Sequence, residues 1–115
     1  MIWTLTQVAV GGAIGSDLRF VTVAFLGAPL AVLAVNVVGC FAMGVAFVVL
    51  SARLSPFVMT GVLGGFTTFS AFSLDALKLW EAGQIGQAAL YVAGSVVLSL
   101  GAVALGATLA RGVWA

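Results

Sequence analysis

The 115-residue sequence is poor in charge and has no histidine. Asp, Glu, Lys and Arg together make up 6% of the residues, and the net charge is +1. So little charge argues against nucleic-acid binding, which depends on clustered basic residues. The absence of histidine argues against His-metal sites and His-based acid–base catalysis. No nucleophile–base pair or metal-ligand cluster can be assembled from the remaining residues, so we expect no enzyme.

Cysteine is almost absent as well. The single cysteine, Cys40, excludes an internal disulfide, and we interpret it as a small apolar helix residue. Apolar residues are abundant in contrast, at 63% of the chain. A soluble domain of this length could not bury so much apolar surface, so the composition predicts an integral membrane protein.

Charges and turn residues divide the chain into four apolar segments. We place them at about 3–22, 28–52, 56–78 and 84–110. Each is long enough for the ~20 residues that a membrane-spanning helix needs. Ser55-Pro56 is expected to cap the third helix. The sequence therefore predicts one all-α domain, 1–115, with four transmembrane helices in the lipid bilayer.

The basic residues are balanced between the two ends of such a bundle. Arg53 and Arg111 fall on one side, and Arg19 and Lys78 on the other. Because Lys and Arg in short loops normally set orientation, this balance permits insertion in both directions and an antiparallel dimer.

The stretch from Gly61 to Ser73 lies in an apolar segment yet breaks its pattern. Each residue of the pair Gly64-Gly65 destabilises a helix interior by roughly 1 kcal/mol relative to Ala. Threonines, serines and phenylalanines follow at once. We expect the helix to break at Gly64-Gly65 and to line a polar, ion-binding cavity. The alternative is a simple packing face of small residues.

Two other features place polar groups at membrane depth. Asn36 must find hydrogen-bond partners there, either in a neighbouring helix or in a pore. Tyr91, Ser95 and Ser99 follow at i, i+4 and i+8, which aligns three hydroxyls on one helical face. That face could line an anion pathway or pack against another helix.

The charged residues near helix ends leave their roles open. Asp17 and Arg19 are either interfacial or part of a vestibule. Asp75, Lys78 and Glu81 predict a solvated helix end with weak ion pairs.

Three motifs together resemble the small bacterial fluoride channels of the Fluc, or CrcB, family. They are Gly11-Gly12-Ala13-Ile14-Gly15 with Arg19, then Asn36-Val37-Val38-Gly39, and above all Gly64-Gly65-Phe66-Thr67-Thr68-Phe69-Ser70-Ala71-Phe72. The resemblance implies four-helix subunits in an antiparallel, dual-topology homodimer in the inner membrane of a prokaryote. It also implies a third helix broken at its centre, two pores per dimer and passive export of fluoride.

The resemblance further implies roles for single residues. A structural sodium ion (Na+) would be held by the backbone carbonyls of Gly64 and Thr67, and Arg19 would lie in a vestibule. The fluoride pore would be lined by Asn36, Phe69, Ser70, Phe72, Tyr91, Ser95 and Ser99. The sequence departs from the family pattern at Ser16-Asp17, Phe20 and Cys40.

Two other functions remain as alternatives. A proton-coupled exporter of the small multidrug type has the same length and helix count, but it requires a membrane-embedded carboxylate. The first helix has no Glu, and Asp17 lies near its end. A non-transporting accessory subunit fits the composition but leaves the Gly61–Ser73 stretch unexplained.

Overall fold

The computed structural model describes residues 1–114, and the chain there is helical. The elements in chain order are α1 (Ile2–Leu26), α2 (Leu30–Val49), a π-helical turn π1 (Pro56–Leu63), α3 (Gly64–Phe66), α4 (Phe69–Glu81) and α5 (Ile85–Trp114). Within residues 1–114, four stretches are long and apolar enough to cross a membrane: Ile2–Leu26, Leu30–Val49, Pro56–Glu81 and Ile85–Val113. The four predicted apolar segments are therefore confirmed.

Helix α1 runs four residues beyond its predicted end. Gly27 terminates it with a φ of 80°, a left-handed conformation that favours glycine, and its N–H bonds to the carbonyl of Val23 at 2.9 Å. The helix α2 starts at Leu30, directly after Pro29.

Small residues bring α1 against π1 and α3. A Cβ on Gly15 would collide with the carbonyl of Val62, and a Cβ on Gly65 would lie 2.7 Å from the carbonyl oxygen of Gly12. The two segments run in the same direction, since Gly11 lies beside Gly61 and Gly15 beside Phe66. The expected close helix approach is present, and only glycine fits at its narrowest points.

Helices α2 and α5 form the second close pair. A Cβ added to Gly44 would overlap the backbone of Val103, and a Cβ added to Gly106 would overlap the backbone of Phe41. Helix α4 closes against them through a small core of Val32, Phe72 and Tyr91.

Pro56 is the first residue of π1 and Ser55 directly precedes it, as expected, but Ser55 makes no side-chain cap: its backbone is helical, and its hydroxyl donates to the carbonyl of Ser51 at 3.0 Å. The expected break at Gly64-Gly65 is wrong. Gly64 is helical too, with φ −64° and ψ −36°, and Gly65 belongs to α3. Gly65 packs directly against the backbone of α1, where a side chain would not fit, whereas a Cβ on Gly64 would meet no atom of α1. The extended residues are instead Thr67 (φ −82°, ψ 156°) and Thr68 (φ −153°, ψ 122°), between α3 and α4.

Candidate functional site: the Asn36 cavity

The backbone of Thr68 is bonded on both sides by one side chain. Asn36 Nδ2 donates to the Thr68 carbonyl at 3.0 Å, and the Thr68 N–H donates to Asn36 Oδ1 at 2.8 Å. A buried backbone that leaves a helix must find such partners. The sequence left two interpretations of Asn36 open, a hydrogen bond to a neighbouring segment or a place in a pore. The hydrogen bond is observed, and the residue also lines a cavity.

The hydroxyl of Thr68 caps the following helix. Thr68 Oγ1 accepts from the N–H of Ala71 at 3.1 Å and lies 3.2 Å from Ser70 Oγ. A hydroxyl that accepts from the N–H three residues later is typical of a threonine at a helix N-cap. Thr68 is buried, whereas Ser70 is exposed, so the Ser70 hydroxyl belongs to the cap rather than to the cavity wall.

Two backbone N–H groups, those of Thr68 and Ala71, do not bond to the carbonyls four residues before them. In a continuous helix the Thr68 N–H would bond to Gly64, and the Ala71 N–H to Thr67. Both amides instead bond to side chains, those of Asn36 and Thr68. The carbonyls of Gly64 and Thr67 thereby lose their helical donors.

A third carbonyl in this region has a charged partner. Arg19 Nε donates to the carbonyl oxygen of Gly65 at 3.1 Å. This places the guanidinium of Arg19 at the C-terminal end of α3, where the helix dipole favours a positive charge.

A cavity of about 330 Å³ opens beside Thr67 and Thr68, and we name it the Asn36 cavity. Five of the seven predicted pore residues line it, while Ser70 and Tyr91 do not. Its lining residues are Asn36, Cys40, Thr67, Thr68, Phe69, Phe72, Ser95, Val96, Ser99 and Leu100.

Three aromatic rings form a continuous row at this wall. Phe69 meets Phe72 edge to face, with ring centroids 5.4 Å apart and planes at 66°. Phe72 meets Tyr91 at 5.3 Å. Phe72 and Tyr91 are buried, but Phe69 is 77% exposed. Tyr91 thus packs against Phe72 and does not itself line the cavity.

The hydroxyl stripe of α5 contains groups without partners. Ser95 is 4% exposed, and its Oγ has no hydrogen-bond partner within residues 1–114. Ser99, one turn later, is half-buried and also lines the cavity. Buried hydroxyls without partners are uncommon, so this wall is suited to a polar guest.

The expectation of a solvated end at Asp75 is wrong. Asp75 is 7% exposed, and its Oδ2 has no partner in the described residues. It follows Phe72 at i+3, and this face of α4 turns toward α5. Asp75, Lys78 and Arg19 line a second cavity of about 250 Å³. Arg19 is therefore beside a cavity, whereas Asp17 is exposed.

Sequence reasoning missed two residues of the site. Thr68 was part of a motif without a role of its own, although its position before an apolar helix is an N-cap signal. Cys40 was interpreted as an apolar packing residue, although it follows Asn36 at i+4 and so shares its face.

The chain belongs to the CrcB-like family. The family model described as CrcB-like protein, Camphor Resistance (CrcB), matches residues 6–107. A protein of Ruegeria sp. is 55% identical and one of Paracoccus denitrificans 51% identical, each over at least 97% of this chain and 98% of its own length. A third, from Jannaschia sp., is 61% identical over 76% of this chain and 87% of its own. All three are named fluoride-specific ion channel FluC.

Family membership and the four apolar helices together define the cellular setting. The relatives are bacterial, and the helices are long and apolar enough to cross a bilayer. The chain is a multi-pass protein of a prokaryotic cell membrane.

Proposed function

We infer that this protein is a fluoride-selective ion channel, as its relatives are named, and not an enzyme. The observation that carries this inference is the Asn36 cavity, which serines of α5 and phenylalanines of α4 line together within the membrane-spanning segments. Fluoride would leave the cell passively along it.

The lining of the cavity suits a small, strongly hydrated anion. Such an ion needs donors to replace water, yet it must not be held so tightly that it cannot leave. Ser95 and Ser99 offer neutral O–H donors, and the edge of Phe69 or Phe72 carries partial positive charge. No Lys or Arg is among the lining residues, so no fixed cation traps the anion.

We propose that two chains form an antiparallel, dual-topology homodimer with two pores. The balance of Arg53 and Arg111 against Arg19 and Lys78 supports insertion in both orientations. The exposure of Phe69, directly at the cavity wall, supports a second chain that covers the ring. Thr67 and Thr68 would be the point at which a single membrane-spanning third helix is broken.

We also propose a structural sodium ion on the backbone carbonyls of Gly64 and Thr67. Their helical donors are bonded elsewhere, which supports a role as ligands for a hard cation. Residues 1–114 contain no cluster of three or more His, Cys, Asp or Glu that could hold a metal, so carbonyl ligands are the donor set that fits. The ion would offset the negative ends of two facing α3 helices.

One observation favours the exporter alternative. Asp75 is a buried carboxylate in a membrane-spanning segment, which proton coupling requires. Asp17, the acid of the first helix, is exposed and does not meet that requirement.

The test is fluoride efflux from liposomes that contain the purified protein, followed with a fluoride electrode. A channel releases fluoride but not chloride, at a rate independent of an imposed proton gradient. Flux that follows the proton gradient would favour the exporter, and the absence of flux from folded protein would favour the accessory subunit.

A further inference from the structure

Cys40 places a thiol in the wall of the Asn36 cavity. It lies one turn after Asn36 on α2, and both residues line the same space. The residue is partly buried, and it is the single cysteine of the 115-residue sequence. Any effect of a thiol reagent on this protein must therefore arise at Cys40.

A second residue of the lining, Ser95, supports a polar guest in the same cavity as this thiol. Ser95 is 4% exposed, and its Oγ is buried without a partner within residues 1–114. The amide of Asn36 bonds to Thr68 and makes no hydrogen bond to the Ser95 hydroxyl. Buried hydroxyls normally have a protein, water or ligand partner, so an unpartnered one among the lining residues supports a polar guest in the cavity.

We propose that Cys40 is a modification site for small, uncharged, thiol-reactive compounds, and that the group they leave on the sulfur closes the fluoride pathway. The proposal rests on the function inferred above. A methylthio group is larger than fluoride and apolar, so it would both narrow the cavity and remove a place where the ion exchanges its water.

Methyl methanethiosulfonate supplies the simplest form of this chemistry. The Cys40 thiolate attacks the sulfenyl sulfur of the reagent, the S–S bond of the reagent breaks and a new Sγ–S bond forms. The products are Cys40–S–S–CH3 and methanesulfinate, and the thiol proton goes to water. Dithiothreitol reverses the step by thiol–disulfide exchange.

The lining also predicts which reagents enter. Most of the wall is apolar, with Phe69, Phe72, Val96 and Leu100, and no charged residue is part of it. Bringing a charged compound into such surroundings is costly. The trimethylammonium-ethyl analogue of the reagent should therefore label Cys40 at least tenfold more slowly than the neutral methyl compound.

The experiment measures labelling and flux on the same proteoliposomes. Intact-mass spectrometry gives the fraction of chains that carry a methylthio group, and a fluoride electrode gives the efflux rate. We expect flux to fall in proportion to labelling, by at least tenfold at full labelling, and to return after dithiothreitol.

Cys40→Ala and Cys40→Ser are the matched variants, and each is compared with its own untreated sample. Their treated and untreated rates should agree. A second control moves the thiol out of the cavity: Ser51→Cys in the Cys40→Ala background places it in the exposed loop after α2. That protein should be labelled without loss of flux.

The outcomes separate the proposal from the function on which it rests. If the untreated protein releases no fluoride, the inferred channel function is wrong, and so is the proposal that modified Cys40 closes the pathway. If untreated flux is normal, either failure to label the folded protein or full labelling with unchanged flux overturns the proposal alone. Loss of flux in the Cys40→Ala protein on treatment would also overturn it.

Discussion

Asn36 and Thr68, 32 positions apart in sequence, form two hydrogen bonds in which the Asn36 side chain replaces the helical partner of the Thr68 N–H and adds a donor to the Thr68 carbonyl. The pair stabilises two extended residues in a segment where lipid offers no hydrogen bonds. It also links the extended backbone of the third segment to α2, and both form part of the cavity wall.

Asn36→Asp should reduce fluoride efflux at least tenfold. The carboxylate can still accept from the Thr68 N–H, but it cannot donate to the Thr68 carbonyl, and it adds negative charge to an anion pathway. Loss of the bond to the Thr68 carbonyl, which keeps its helical partner in α4, should lower the free energy of unfolding by about 0.5–1.5 kcal/mol. Efflux and thermal unfolding check both effects.

Gln87→Glu is the control, because it makes the same amide-to-acid change at an exposed position and should leave flux intact. Normal flux in Asn36→Asp would exclude a pore role for Asn36.

Phe69→Ile and Phe72→Ile should both lower flux sharply, because each removes an aromatic edge from the cavity wall. Their effects on folding should differ, since Phe69 is exposed in the single chain and Phe72 is buried against Tyr91. We expect the larger stability loss for Phe72→Ile. Efflux combined with size-exclusion chromatography distinguishes these outcomes, and Phe25→Ile, at an exposed position in α1, is the control. Unchanged flux in both cavity variants would disprove an aromatic contribution.

Ser95→Ala separates packing from ion passage. Because the Ser95 hydroxyl has no partner, its removal should leave stability unchanged or raise it slightly. Flux should nevertheless fall, since one neutral donor of the pathway is lost. Ser73→Ala removes an exposed hydroxyl that bonds only to the Phe69 carbonyl, and serves as the control. A clear loss of stability in Ser95→Ala with normal flux would show that the hydroxyl is structural.

Gly15→Ala should impair folding of the bundle. Its methyl group would overlap the Val62 carbonyl, and such overpacking costs about 1–3 kcal/mol or more when backbone must move. Gly101→Ala is the matched substitution, because nothing lies within 4 Å of its added Cβ and it should gain up to about 1 kcal/mol of helix propensity. Thermal unfolding in detergent measures both. Equal stabilities would mean that α1 and the third segment do not pack as described.

Replacing sodium with a large organic cation should lower both thermal stability and flux, if the carbonyls of Gly64 and Thr67 hold the ion. Thr67→Ser keeps the backbone ligand and should respond to sodium as the natural chain does. Asn36→Ala frees the Thr68 amide to bond to Gly64 again, and should weaken the dependence on sodium. Identical melting curves with and without sodium would argue against the site.

The hydropathy pattern alone determined the four membrane-spanning segments and the class of protein, because the transfer of ~20 apolar residues into lipid depends on composition and little on neighbours. The balance of basic residues and the Gly64–Phe72 motif could also be identified from the sequence alone. Tertiary structure decided the rest. Gly64 and Gly65 remain helical, with Gly65 packed against α1, and the extended conformation falls at Thr67 and Thr68, where Asn36 supplies hydrogen bonds to Thr68. Asp75 is buried and Cys40 faces the cavity because helix rotation is set by packing between segments, and that packing is decided by partners far away in the sequence.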